Sequence, residues 1–79
     1  MSITPQQCRA ARGLLDWTQS DLAKAAAVGL STVKDFERGT RETDPANVAA
    51  MEAALERAGI EFLPARSGKG AGLRYAKHQ

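Results

Sequence analysis

Between Thr18 and Gly39 the chain reads as two short amphipathic helices joined by a tight turn, and no other stretch limits so strongly what it can fold into. Thr18 with Asp21 three residues on is a capping signature, so a helix is predicted from Gln19 to about Ala26, burying Leu22 and Ala26. Ala27-Val28-Gly29 is the turn. The next helix, Leu30 to Arg38, buries Val33 and Phe36 at i, i+3 and stops at Gly39, which can take the left-handed conformation that a helix C-terminus often needs.

The flanks supply further helices and then a change of period. Thr4-Pro5-Gln6-Gln7 gives an N-cap, a proline at the first helical position and a glutamine placed to close a capping box, with Ile3 and Cys8 spaced as a hydrophobic staple. A helix from Pro5 to about Leu15 follows, with Cys8, Ala11 and Leu15 on one face and Trp17 anchoring the connection onward. Asp44-Pro45 starts a fourth helix that ends at Gly59, with Val48, Met51, Leu55 and Ala58 as its core stripe and Asn47, Glu52, Glu56 and Arg57 facing water. After Gly59, Ile60-Glu61-Phe62-Leu63 and Leu73-Arg74-Tyr75 alternate, on either side of a Gly-rich stretch, as two candidate strands in which Glu61 and Arg74 can pair. The fold class is therefore mainly α, with residues 1–59 a four-helix domain and residues 60–79 a two-strand β appendage with a basic tail.

Composition narrows the class. A chain of 79 residues holds one compact domain, near the lower limit at which a core supports itself. The single Cys8 cannot form an internal disulfide, and no charged start followed by an apolar run marks a secretory signal, so a reduced, cytoplasmic protein is expected. No apolar run approaches the ~20 residues of a membrane span. A net charge of +2 is compatible with a polyanion partner but too small to argue for one, so the placement of the charges must carry the argument.

Thr18-Gln19, Leu22-Ala23, Val28, Ser31-Thr32-Val33 and Phe36-Glu37-Arg38-Gly39 together resemble the Cro/C1-type (Xre) helix-turn-helix family, over roughly residues 5 to 58 and without an insertion or deletion. The resemblance implies a lambda-repressor-like helix-turn-helix domain that binds double-stranded DNA, with Leu30–Arg38 as the recognition helix. It also implies that Gln19 grips the DNA backbone, that Arg38 and Arg41 face the flanking phosphates, and that Arg12 and Glu37 form a buried ion pair between the first and third helices. Three departures stand out: apparent strands where the family's five-helix form has its last helix, Ala27 where members often carry Gly, and Gly29 where a Ser or Thr commonly caps the recognition helix.

The residues themselves agree with that reading. A recognition helix keeps one face apolar and sends the opposite face into the major groove. Val33 and Phe36 hold; Leu30, Ser31, Lys34 and Asp35 point out as base-contact candidates. Leu30 can press on a thymine methyl, Ser31 can donate or accept, and Lys34 can reach guanine O6 or N7 or a phosphate. Asp35 either accepts from cytosine N4 or pairs with Lys34 or Ser31. Gln19, Thr32, Arg38 and Arg41 are the candidate phosphate contacts, Arg38 serving equally as a cation at a helix C-terminus.

Catalysis has little to stand on. The only His is His78 in the tail, no second ligand lies near Cys8, and Gly68-Lys69-Gly70-Ala71-Gly72 lacks the Walker spacing, so no enzyme, cofactor or metal is expected. One helix-turn-helix reads only a few base pairs, so a homodimer on a pseudo-palindrome is expected, joined through Ile60, Phe62, Leu73 and Tyr75 of the ribbon with Leu14 adding to it; alternatively the ribbon folds back on the fourth helix as a lid. The function expected is a dimeric repressor. An antitoxin or a phage or restriction-system control protein, or a module that binds another regulator, are the alternatives, and an acidic patch such as Asp16, Asp21 or Glu42 leaves polymerase contact open.

Overall fold

Three of the four helix starts carry side-chain caps, and those caps set where each helix begins. The structure, a computed structural model, describes residues 2–39, 42–64, 70 and 72–76. Helix α1 (Pro5–Leu15) is entered through a capping box: the Thr4 hydroxyl accepts from the Gln7 amide at 3.0 Å, and the Gln7 side chain accepts from the Thr4 amide at 2.9 Å. Helix α2 (Gln19–Ala26) repeats the device with Thr18 and Asp21, at 3.0 and 2.8 Å. Helix α3 (Leu30–Arg38) has only Gly29 before it and makes no side-chain cap bond, so four amide groups at its start are left without a side-chain partner. Helix α4 (Pro45–Arg57) starts at Asp44, whose carboxylate accepts from the Ala46 amide at 2.9 Å.

Left-handed residues end the first three helices. Asp16 (φ 59°), Ala27 (φ 57°) and Gly39 (φ 72°) hold the C-cap positions of α1, α2 and α3. Only Gly39 does so at no steric cost; a side chain with a Cβ pays ~1–2 kcal/mol there.

The core lies between α1, α2, α3, α4 and the ribbon. Leu22, Met51, Leu55, Ile60, Val33 and Cys8 are fully buried, with Leu15, Trp17, Ala26, Val28 and Leu73 packed around them. On α4 the buried stripe takes in Ala54 beside Val48, Met51 and Leu55, while Ala58 is half-buried. Asn47 and Glu52, expected to face water, are half-buried too; burial together with the neighbouring Glu56 pushes the Glu52 carboxyl above its ordinary range.

Strands β1 (Ile60–Leu63) and β2 (Gly72–Tyr75) form an antiparallel pair with Ile60 opposite Tyr75, Glu61 opposite Arg74, Phe62 opposite Leu73 and Leu63 opposite Gly72. The Arg74 and Glu61 side chains pair at 3.1 Å on the exposed side. Strand β1 packs on α4 and β2 on α1. Ile60 and Phe62 are only 2% and 9% exposed, which corrects their expected place in a dimer surface: both side chains are already committed to the core of their own protomer. The ribbon is a lid, and of the four residues expected at a dimer contact Leu73 is half-buried and Tyr75 alone is exposed. Gln7 pins the lid in place, its amide nitrogen donating to the Gly72 carbonyl at 2.8 Å and to the Leu63 carbonyl at 3.3 Å.

Candidate nucleic-acid interface

Helix α3 holds itself to the protein with Val33, Phe36 and Glu37, all buried. Glu37 is the unusual member, because a buried carboxylate is costly unless its oxygens are paired. Arg12 on α1 meets it as a fork, Nε to Oε2 and Nη2 to Oε1, both at 2.7 Å. The Cys8 thiol donates to Oε2 at 3.1 Å and the Gln19 amide to Oε1 at 3.1 Å. A third Arg12 nitrogen donates to the Trp17 carbonyl at 3.0 Å, so one guanidinium ties together α1, the α1–α2 connection and α3.

Burial alone would raise the Glu37 carboxyl, yet the hydrogen bonds from Arg12, Cys8 and Gln19 and the charge of Arg12 outweigh it and hold the group below the usual carboxylate range. The hydrogen bonds that Arg12 donates to Glu37 in turn raise Arg12. Burial, with Glu37 beside it, pushes the Cys8 thiol far up, so Cys8 stays a protonated donor.

With those anchors set, the opposite side of α3 is open. Leu30, Ser31, Lys34 and Arg38 are exposed, Leu30 at 37% despite being apolar. Asp35 and Thr32 are half-buried, and they turn toward α4: both line a hollow shared with Glu42, Thr43, Asp44 and Asn47. Among the described residues the ion pairs are Arg12–Glu37 and Arg74–Glu61, so Asp35 forms no ion pair with Lys34. On the other flank, Gln19, Lys34 and Arg38 line an open cleft together with Arg9, Arg12 and Glu37.

The expected contact residues thus divide into two sets. Gln19, Lys34 and Arg38 come together in a cationic cleft, and Ser31 and Leu30 lie on the exposed face beside it. Thr32 and Asp35 share the carboxylate-lined hollow instead. Arg41 lies outside the described residues, as do His78 and residues 65–69 and 71 of the Gly-rich stretch.

Two further side chains take part in this packing. Arg9 lines the cleft and donates through Nη1 to the Glu37 carbonyl; its position three residues before Arg12, hence on the same side of α1, is the signal that could have found it. The spacing marks Gln7 as a cap, and its long-range bonds to the ribbon leave no local mark in the sequence.

A helix-turn-helix family model matches residues 9–62, more than half of the chain, from Arg9 on α1 through α2, α3 and α4 to Phe62 on β1. No curated protein matches the sequence. No helix among the described residues is long and apolar enough to cross a membrane.

Proposed function

We propose a mode of action from one premise: the chain belongs to the Cro/C1-type helix-turn-helix family. As such it is a DNA-binding regulator. In the proposed mode it is a cytoplasmic repressor that binds a pseudo-palindromic operator as a homodimer and occludes a promoter, with α3 in the major groove. The observation that carries this reading is the division of α3: Val33, Phe36 and the neutralised Glu37 lock one side, while Leu30, Ser31 and Lys34 stand exposed on the other beside a cationic cleft.

In that mode Leu30 presses on a thymine methyl and Lys34 reaches guanine O6 or N7, with Ser31 on a base edge between them. Asp35, on the α4 side, accepts from cytosine N4. Gln19 and Arg38 hold phosphates on the cleft side, and Thr32 and Arg41 are the further phosphate contacts of this mode.

The size of the protomer suits a dimer. Its extents of 32 × 30 × 19 Å are of the same order as the ~34 Å between successive major grooves, so one protomer per half-site is of a suitable size. The contact proposed is Tyr75 with Leu14, exposed at 56% and 39% and joined by the Tyr75 hydroxyl, which donates to the Leu14 carbonyl. These two residues and Leu73 replace Ile60 and Phe62 as the apolar surface on offer.

The test is a selection of genomic fragments by the purified protein at moderate salt, followed by sequencing. Enrichment of one pseudo-palindrome with half-sites about one helical turn apart is expected. Uniform recovery of fragments would overturn the sequence-specific reading, and recovery of a single unpaired half-site would overturn the dimer.

A further inference from the structure

We propose that Arg9, which lies outside the helix-turn-helix proper, is a phosphate contact that closes the cationic cleft beside α3; the proposal rests on the DNA-binding reading above.

Charge is the first ground. The cleft holds Arg9, Arg12, Lys34 and Arg38 against the single carboxylate of Glu37, and that carboxylate is buried and already bound as a fork by Arg12. What the cleft presents outward is therefore the positive charge of Arg9, Lys34 and Arg38. The opposite flank of α3 carries Asp35, Glu42 and Asp44. Among the described residues the cationic flank of α3 is thus the Arg9 side, and it draws a polyanion lying along the helix.

Preorganisation is the second. Arg9 is exposed, yet one of its nitrogens is fixed by the Glu37 carbonyl, one of the acceptors that the end of α3 leaves without a helical partner. A guanidinium has five N–H donors in a planar fork, so one bond to the backbone leaves the rest for a phosphate, at a smaller entropy cost than a free side chain would incur. Because the tether is to α3 itself, Arg9 moves with the helix that reads the bases.

The structural alternative, in which Arg9 only caps α3, has a built-in comparison. Arg57 on α4 makes the same kind of bond, from its guanidinium to the Ala25 carbonyl at 3.3 Å, but it does not line the cleft.

The experiment measures the affinity of a mixed-sequence duplex of about three helical turns as a function of salt, for the wild type, Arg9→Gln, Arg9→Lys and Arg57→Gln. Urea midpoints confirm that each is folded. Each phosphate contact contributes about 0.9 to the slope of log K against log salt. Arg9→Gln, which keeps a donor for the Glu37 carbonyl but drops the charge, is expected to lower the slope by about 0.9. Arg9→Lys and Arg57→Gln are expected to keep the wild-type slope. An unchanged slope in Arg9→Gln, or an equal fall in Arg57→Gln, would overturn the assignment while leaving DNA binding intact. A wild type that binds no duplex at any salt would overturn the DNA-binding reading itself, and this proposal with it.

Discussion

Helix α1 is the anchor for two very different segments, the recognition helix on one side and the β-ribbon on the other. Helix α3 is held by directional bonds: the Arg12–Glu37 fork, with the Cys8 thiol and the Gln19 amide completing it. The ribbon is held by burial of Ile60 and Phe62, with the Gln7 amide and the Tyr75 hydroxyl as its polar ties to α1 among the described residues. Apolar burial is non-directional and tolerates small shifts. A fork of charged hydrogen bonds does not, because its energy depends on angle as well as distance. The nine-residue α3 buries only two apolar side chains, too few to fix its rotation, yet it is the helix whose outward residues must meet base edges. The protein places its rigid fastening where orientation matters and its soft one where coverage suffices.

That contrast breaks first at the fork. Arg12→Ala strands the Glu37 charge in the core and is expected to cost about 3–5 kcal/mol, a large part of the stability of a domain this small. A urea titration checks it; a loss below ~1 kcal/mol would shift the hold on α3 to Val33 and Phe36. The same fork has a pH signature. The Glu37 carboxyl lies below its unfolded value of about 4.3, so its contribution is fully present above that pH and is lost as pH falls through the folded value. The acid limb of the stability curve therefore flattens in Glu37→Gln, although Asp21, lowered by its bond to the Thr18 backbone, retains a smaller share.

Breaking the softer fastening costs less. Gln7→Leu removes the donors to Leu63 and Gly72 and one half of a capping box, an expected loss of about 1–3 kcal/mol. Hydrogen exchange sharpens the comparison: amides of residues 60–63 and 72–75 exchange faster in this variant while those of α3 keep their protection. Faster exchange throughout would mean that the two segments are not independently held.

The smallest effect is expected at Ala27, left-handed at the helix-turn-helix turn. Ala27→Gly relieves that strain at the cost of a more flexible unfolded chain, for a net gain of about 0.5–1 kcal/mol. A higher thermal midpoint checks it, and a lower one would show the Ala27 backbone to be unstrained.

How much of this was legible in the sequence follows from the range of each signal. Helix starts were readable because Thr4, Thr18 and Asp44 bond within three residues of themselves. The alternation of Ile60 and Phe62 showed that both share a face, but a period of two does not say whether that face turns to the protein's own core or to a partner. Asp35 had a similar ambiguity: helical spacing puts it outside the buried stripe, and only the position of α4 turns it into a hollow with Glu42 and Asp44. The Glu37 site was marked by resemblance alone, since nothing near Glu37 in sequence requires a buried carboxylate. Cys8 and Arg9 on α1 and Gln19 on α2 converge on it from two separate stretches of the chain.

The measurement that reaches the central claim most directly is selection from a randomised duplex library by Lys34→Ala beside the wild type. If the exposed face of α3 reads DNA, the variant keeps the overall site but loses preference at one or two base pairs, a penalty of about 1–3 kcal/mol confined to those positions. An unchanged motif at unchanged affinity would contradict a base-reading role for this face.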